Sequence, residues 1–218
     1  MSILRLFPLN TVIFPGQHLP LHVFEQRYRQ LVQEIMDEDS EFGIALIRSD
    51  TDIDHDSIPN SIGCTARITN SEQLPDGRFN ISCKGIRRFR LLELLTPDPY
   101  PRAEVEYLIE DNTDPDEVTL GLSQSVEELF CRYLELLLAL QNSWQRTFRL
   151  PIIPRLLADH TAARLDTDSL IKQEILEAEQ VSQRLELIIR AIQKENDQLS
   201  EKLATHRRRI FYGLGALN

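Results

Sequence analysis

The chain of 218 residues has few of the residues that nucleotide-driven and hydrolytic enzymes require. Its only lysines are Lys84, Lys172, Lys194 and Lys202, and none of them follows a glycine. The GxxxxGK[ST] loop that holds nucleotide phosphates is therefore absent. The GxSxG turn of α/β-hydrolases is missing as well. Spacing leaves a Ser–Lys pair open, but so few lysines disfavour it, and we expect no catalytic residues and no enzymatic activity.

Cysteines are also scarce. Cys64, Cys83 and Cys131 are widely spaced and form no CxxC pair, which argues against a zinc ribbon or a thioredoxin-type site. No apolar run approaches the roughly 20 residues that span a bilayer, and the N-terminus lacks the pattern of a signal peptide. We therefore expect a cytoplasmic protein with reduced, mostly buried thiols and no membrane association.

Metal-ligand patterns are incomplete. His18 and His22 lie four residues apart, but Pro20 between them forbids the helix that would pair them as ligands. The acidic run at residues 50–56 alternates aspartates like a calcium loop, yet it lacks the central glycine and the terminal glutamate. We expect this run to be a solvated loop, and we expect neither metal nor cofactor.

Acidic residues outnumber basic ones by 34 to 24, which gives a formal net charge of −10. Such a charge repels nucleic acid, so no nucleic-acid partner is expected. One short basic stretch, Lys84 with Arg87, Arg88 and Arg90, opposes this trend. We expect carboxylates on neighbouring strands to pair with these arginines; the candidates are Glu93, Glu104 and Glu106.

The first half of the chain reads as short strands separated by proline and glycine, a pattern typical of a closed or nearly closed antiparallel barrel. Leu74-Pro75-Asp76-Gly77 predicts a hairpin turn. Residues 24–36 differ, because Tyr28, Leu31, Val32, Ile35 and Met36 recur at helical spacing and predict a short helix.

After the polar, acidic segment 111–117 the apolar period changes to that of helices. We expect a central, well-buried helix there, and Pro154 is expected to begin the next one. A last helix follows the seam Val181, Leu185, Ile188 and Ile192. The predicted organisation is an α+β protein with a β-barrel subdomain at 1–111, a helical bundle at 117–195, and a helical extension or mobile tail at 196–218. The predicted apolar stripe of the central helix is Val126, Leu129, Phe130, Tyr133, Leu134, Leu137 and Leu138.

Residues 6–16 (LFPLNTVIFPG) and 19–28 (LPLHVFEQRY) resemble the N-terminal substrate-binding domain of bacterial Lon, the ATP-dependent protease. The similarity covers the chain to about Ile192. It includes FGIALI at 42–47, GCTARI at 63–68, LPDGR at 74–78, GIRRFR at 85–90, YPRAEV at 100–105 and KQEILE at 172–177.

The resemblance implies a PUA-like β-barrel followed by a helical bundle. Phe7, Phe14 and Phe24 are large enough to fill the interior of a small barrel. The resemblance also implies binding of unfolded or damaged polypeptide segments, in connection with a protease system. Because the ATPase and peptidase domains of Lon are missing, the chain resembles the free-standing, single-domain relatives found in bacteria, and our hypothesis is that it acts as an adaptor or holdase. A groove between barrel and bundle is the expected peptide-binding surface, with Phe14, Leu19, Phe24 and Tyr28 near it.

Two other interpretations stay open at this point. PUA-like folds also serve as small-ligand or RNA-binding modules, and the last helix is a candidate for assembly of several copies. The oligomeric state is not indicated by the sequence.

Overall fold

The computed structural model describes residues 2–48, 59–95, 99–109, 114–145 and 147–215, with side chains described as far as His206. The acidic run at 50–56 and residues 111–113 of the predicted boundary lie outside this description, as do the side chains of the arginines at 207–209. The chain divides into two compact units. One comprises Met1–Asn112 with Lys172–Glu177, and the other Thr113–Ile171 with Ala178–Asn218.

Six strands and one helix make up most of the first unit. They are β1 (Ser2–Leu9), β2 (His18–Val23), α1 (Gln26–Glu38), β3 (Phe42–Leu46), β4 (Ile62–Gln73), β5 (Phe79–Leu95) and β6 (Arg102–Tyr107). The strand order is β2-β5-β4-β3-β1-β6, and β6 pairs with β5 as well as with β1.

The sheet is mixed, which corrects the prediction of an antiparallel one. β1 and β3 are parallel, with Leu6 opposite Gly43 and Leu9 opposite Leu46. Parallel neighbours need a long connection, and β2 with α1 supplies it by returning the chain before β3 begins. The other pairings are antiparallel, as predicted.

Helix α1 and the hairpin turn follow the sequence pattern. Tyr28, Leu31, Val32 and Ile35 form the buried face of α1, as their spacing predicts, whereas Met36, which was predicted on the same face, is 38% exposed. In the turn between β4 and β5, Gly77 has a φ of 81° and donates its N–H to the Leu74 carbonyl at 2.8 Å. A residue with a side chain rarely adopts this φ, so glycine stands there for a conformational reason.

Strand β5 contributes to two separate hydrophobic clusters. Ile81 and Cys83 belong to the larger one, which packs against the buried face of α1. Phe89 belongs to a smaller cluster with Leu4 and Leu6 of β1. One strand of 17 residues is long enough to serve both.

None of the three cysteines forms a disulfide: Cys64 and Cys83 are buried, as predicted for most of them, and Cys131 is half-buried. Burial raises the pKa of Cys83 to about 11 and also raises the pKa of Cys131. Both thiols are therefore protonated and unreactive near neutral pH.

Three helices of the second unit contact one another: α2 (Glu117–Leu140), α3 (Pro154–Arg164) and α5 (Val181–Gly215). Asp116 accepts a hydrogen bond from the Thr119 N–H at 2.8 Å and so caps α2, and Pro154 begins α3 as predicted. Helix α4 (Ser169–Glu177) is shared, because its residues from Lys172 onward group with the first unit.

Three of the four residues of the predicted α5 seam, Leu185, Ile188 and Ile192, are fully buried, whereas Val181 at the start of the helix is half-exposed. The prediction for α2 is only half right. Val126, Phe130 and Tyr133 are buried, whereas the leucines from Leu134 to Leu140 are half-exposed. The helical spacing of apolar residues therefore identifies the apolar face of α2, but it does not show how much of that face is buried by other elements. In the described part of the chain, no helix combines the length and the apolar character needed to cross a membrane.

Candidate functional site

A cleft of about 450 Å3 opens in the first unit where β1 ends, β2 ends and α1 begins. These three ends meet because β2 runs directly into α1 through Phe24 and Glu25. The lining residues are Phe7, Pro8, Leu9, Asn10, Leu21, His22, Val23, Phe24, Glu25, Arg27, Tyr28, Ile47 and Pro101.

Two stacked aromatic rings underlie the cleft. The ring centroids of Phe7 and Tyr28 are 4.3 Å apart with an interplanar angle of 21°. Both side chains are almost completely buried within the larger hydrophobic cluster. Burial raises the pKa of Tyr28 above its ordinary value, so its ring is neutral at physiological pH. The floor is therefore apolar, aromatic and uncharged.

The rim carries one exposed aromatic side chain. Phe24 is 61% exposed, which corrects the prediction that it fills the core. The sequence pattern misleads here because Phe24 follows the last residue of β2 and precedes α1, where neither the strand nor the helix period applies. Its ring lies 6.3 Å from that of His22, at 26°. Phe24 is one of several large hydrophobic side chains that are exposed among the described residues, and it is the one that lines this cleft together with an aromatic floor.

A fixed ion pair stands beside Phe24. Arg27 contacts the Glu25 carboxylate through Nε at 2.9 Å and through a terminal nitrogen at 2.8 Å. Its guanidinium carbon lies 4.7 Å from the centre of the Tyr28 ring. Because the two charges oppose each other, the pair brings no net charge to the rim.

The polar side of the rim is the side chain of His22. Its Nδ1 lies 2.8 Å from Asn80 Oδ1, and its Nε2 lies 3.3 Å from a terminal nitrogen of Arg78. Both ring nitrogens are thus engaged by protein groups. Across the described residues, no group of three or more His, Cys, Asp or Glu side chains is placed to hold a metal ion.

The segment before β2 is held against β5 by close backbone contact. Gly16 donates its N–H to the Gly85 carbonyl at 2.8 Å, and Gly85 donates to the Gln17 carbonyl at 2.9 Å. A Cβ on Gly85 would lie 2.2 Å from the Phe14 carbonyl oxygen, so only glycine allows this approach. These contacts set where β2 starts and hence where its end meets the cleft.

The four residues predicted near a peptide-binding surface occupy different places. Phe24 and Tyr28 come together at the cleft. Phe14 is fully buried, and Leu19 packs partly buried against the larger hydrophobic cluster. Sequence reasoning missed Phe7 and His22 as lining residues, because their strand patterns alone give no sign that two strand ends adjoin.

The basic stretch of β5 is engaged within the protein. Arg87 contacts Glu41 at 3.2 Å and stacks 3.9 Å over the Tyr107 ring. Arg88 is buried and donates to the Leu176 carbonyl at 2.8 Å. Arg90 lies 3.9 Å from Glu106, the pairing predicted across strands, whereas the partner of Arg87 was not foreseen. The three arginines of the stretch therefore have partners within the protein, whereas Lys84 is exposed.

Comparison with known proteins gives a consistent family. The chain is 27% identical over 207 residues to a Lon protease of Anaeromyxobacter dehalogenans, an alignment covering 93% of this chain and 24% of that protease. It is 32% identical over 189 residues to the Lon protease of Paraburkholderia phytofirmans, covering 84% of this chain and 23% of the relative. The chain thus spans about a quarter of the length of the curated relatives it matches.

Solved structures share the fold. A Lon N-terminal domain protein from Xanthomonas campestris superposes with a TM-score of 0.64 at 24% identity, over 87% of this chain and 98% of that one. The N-terminal domain of a Mycobacterium avium complex Lon protease gives 0.66 at 20% identity, over 88% and 98%. The profile of the ATP-dependent protease La (LON) substrate-binding domain matches residues 3–194. The chain belongs to the LON substrate-binding domain family.

Proposed function

We propose that this protein is a non-enzymatic module that binds unfolded or damaged polypeptide segments at the cleft beside Phe24. It works in the cytoplasm, and it serves a protease system as an adaptor or holdase. The family supports the class of ligand, since the matched region is a substrate-binding domain. The three free thiols support the compartment.

The observation that carries this proposal is the exposed ring of Phe24 above an apolar floor. Unfolded segments differ from folded proteins in presenting apolar side chains to solvent. An aromatic rim residue and a neutral aromatic floor suit such side chains, and the Glu25–Arg27 pair adds no charge preference. Of the four residues first expected at the surface, Phe24 contacts the ligand and Tyr28 supports the floor.

We also propose that the first unit is a PUA-like barrel and the second a helical bundle, with subdomains at 1–111 and 117–195 and an extension at 196–218. The barrel is supported by the strand pairings, which run from β5 through β4, β3, β1 and β6 back to β5. The bundle is supported by the mutual contacts of α2, α3 and α5.

Equilibrium binding tests the function. Fluorescence anisotropy of a labelled, reduced and carboxymethylated model protein is measured against the wild type, Phe24→Ala and Ile3→Ala. Ile3 is the matched control, because it is 66% exposed in the same unit and does not line the cleft. We expect saturable binding, weakened about three- to tenfold by Phe24→Ala and unchanged by Ile3→Ala. No saturable binding, or equal loss in both variants, contradicts the proposal.

A small apolar ligand is the second candidate, since the cleft volume falls within the roughly 300–1,000 Å3 of small-molecule sites. A ligand of this kind raises the melting temperature on binding. A flat response across a metabolite panel removes this candidate and leaves the polypeptide function in place.

A further inference from the structure

Strand β2 stands at the end of the strand order, and β5 is its one strand neighbour among the residues that the structure describes. One edge of β2 therefore has no described strand paired to it. His18, Pro20 and His22 are exposed, while Leu19, Leu21 and Val23 turn towards the hydrophobic core. The edge strand leads directly into Phe24 and the cleft.

The hydrogen bonds of β5 show which backbone groups of β2 face outward. Gly85 exchanges both of its backbone hydrogen bonds with the segment before β2, so Cys83 and Ile81, two and four residues away in an unbulged stretch, also face β2. The Ser82 carbonyl instead accepts from Thr69 Oγ1 in β4 at 2.9 Å. Leu19 and Leu21, opposite Cys83 and Ile81, are thus the residues bonded to β5.

It follows that the backbone groups of His18, Pro20 and His22 point away from β5. The position of Pro20 agrees with this, because proline has no N–H and is tolerated in a sheet where its nitrogen faces the open edge. The free edge offers two N–H donors and three carbonyl acceptors. An added strand in antiparallel register can form five backbone hydrogen bonds with it, one fewer than without the proline.

We propose that the bound segment adds to β2 as an extended strand, so that its backbone is held by His18, Pro20 and His22 and one of its apolar side chains rests at Phe24. This inference rests on the proposed function and specifies its mode. The occupant is an extended stretch of another polypeptide, since the edge reads backbone groups that every unfolded chain presents. Because the edge is continuous with the cleft, one bound segment can form backbone hydrogen bonds with β2, which do not depend on its sequence, and also one apolar contact at Phe24.

Pro20 gives the edge a second property. Two copies of an edge strand with all its N–H donors could pair with each other. Pro20 lacks one donor in the middle of the strand, which weakens such pairing between copies. The same omission weakens ligand pairing by only one bond. The edge is therefore suited to transient capture of foreign chains and poorly suited to pairing with itself.

Backbone-modified peptides test the mode. The probe is a labelled ten-residue peptide of alternating valine and threonine with one central phenylalanine, compared with two analogues N-methylated on odd or on even residues. An added strand presents alternate N–H groups to β2, so one analogue is expected to lose at least about tenfold in affinity while the other keeps the parent affinity. Any result in which the two analogues match each other overturns strand addition.

Protein variants test the same edge. His18→Pro removes one outward donor at a position outside the cleft lining, and His18→Ala is its matched control, which keeps that donor. We expect about three- to tenfold weaker peptide binding for His18→Pro and no change for His18→Ala. Pro20→Ala restores a donor and is expected to tighten binding by a similar factor. Equal affinities of all three variants and the wild type overturn the proposal, and far-UV circular dichroism verifies that each variant is folded.

The outcomes separate the mode from the function. If the analogues bind alike but Phe24→Ala still weakens binding of the unfolded model protein, the mode is wrong and the function stands. If the unfolded model protein does not bind at all, both the proposed function and the proposed mode are wrong. A concentration-dependent dimer of the wild type that the peptide does not dissociate makes a second copy the occupant, and that also overturns the proposal.

Discussion

Arg184 and Asp159 form an ion pair in the interior of the second unit. Arg184 and Asp159 lie 3.1 Å apart, and their side chains are 1% and 2% exposed. Removing two charges from water is costly, and the attraction between the opposite charges offsets part of that cost. Neither residue stands out in the sequence, since both are polar positions within helices. Their pairing depends on how α3 and α5 pack.

Replacing one partner of this pair is expected to be strongly destabilising. Asp159→Asn removes the carboxylate charge that lies 3.1 Å from the buried Arg184 guanidinium, and we expect a loss of about 3–5 kcal/mol of unfolding free energy. Urea unfolding followed by circular dichroism measures it. Asp76→Asn is the matched control, because Asp76 pairs with Arg78 at an exposed site where such pairs contribute below about 1 kcal/mol. Similar losses in both variants would contradict the assigned role.

A second polar cluster joins β1, α1 and the segment before β6. Arg5 makes two hydrogen bonds with Glu38, at 2.7 and 2.8 Å, and one with the Tyr100 hydroxyl at 3.1 Å. Tyr100 in turn donates to Glu34. The Tyr100 hydrogen bond lowers the pKa of Glu34, and the Arg5 hydrogen bond lowers the pKa of Glu38. The cluster thus fastens α1, which carries Arg27 and Tyr28, onto the sheet.

These lowered pKa values predict a stability that falls in acid. Both carboxylates bind protons more weakly in the folded state, so their contribution is complete above the ordinary pKa of 4.5 and is lost as pH falls through the lowered values. Arg5→Met removes the main cause at Glu38. We therefore expect its unfolding free energy to depend less on pH between 5 and 3 than that of the wild type. Arg78→Met is the control. The largest cause of the lowered pKa of Asp76 is the hydrogen bond from the backbone N–H of residue 78, and this substitution retains it. Parallel curves for wild type and Arg5→Met would contradict the assignment.

The segment from Phe14 to Gln17 positions β2 through its contact with Gly85. A side chain at Gly85 would displace the Phe14 carbonyl, and with it the start of the strand that leads to the cleft. We expect Gly85→Ala to cost about 1–3 kcal/mol. Gly121→Ala in α2 is the opposing control, since it has open space and removes a poor helix former, so a gain of about 0.5–1 kcal/mol is expected. Thermal unfolding of both variants measures the difference; a neutral Gly85→Ala would show that the segment can move.

Local elements were predictable where one physical rule dominates. The face of α1 follows from helical spacing, the β4–β5 turn follows from Leu74-Pro75-Asp76-Gly77, and the start of α3 follows from Pro154. Each of these depends on residues close in sequence. The signature that carries the Lon resemblance also lies in local runs, which is why the family could be identified before the fold was known.

Features that depend on distant residues were not predictable. The parallel pairing of β1 with β3 joins strands separated by β2 and α1. Phe24 was expected inside and lies at the rim, because its burial is decided by where two strand ends meet. Asn196 continues the seam of α5, where it donates to the Leu129 carbonyl at 3.1 Å, although a polar residue interrupts the apolar period.

The length of chain that the second unit needs follows from this continued seam. Asn196 and Leu199 of α5 are both buried, whereas residues 201 to 206 are mostly exposed. We expect a chain ending at residue 195 to lose about 2–4 kcal/mol relative to the full chain, and a chain ending at residue 206 to lose less than about 0.5 kcal/mol. Urea unfolding of the two truncations measures this. Equal stability of both would show that the seam ends at Ile192.

This bears on the interpretation of the last helix as an assembly device, which stays a prediction. A cut after Ile192 would remove buried residues together with any interface. Comparing the mass in solution of the full chain and of the chain ending at residue 206 avoids that ambiguity.

The two hydrophobic clusters of the first unit share a single backbone. β5 supplies Ile81 and Cys83 to one cluster and Phe89 to the other. Unfolding of either cluster therefore disturbs the backbone hydrogen bonds of the same strand. Hydrogen exchange should therefore be slowest from about residue 81 to residue 89, and the amides of both clusters should open with a common free energy. The first unit would then unfold as one cooperative body, while β2, at the end of the strand order, stays accessible for the proposed strand addition.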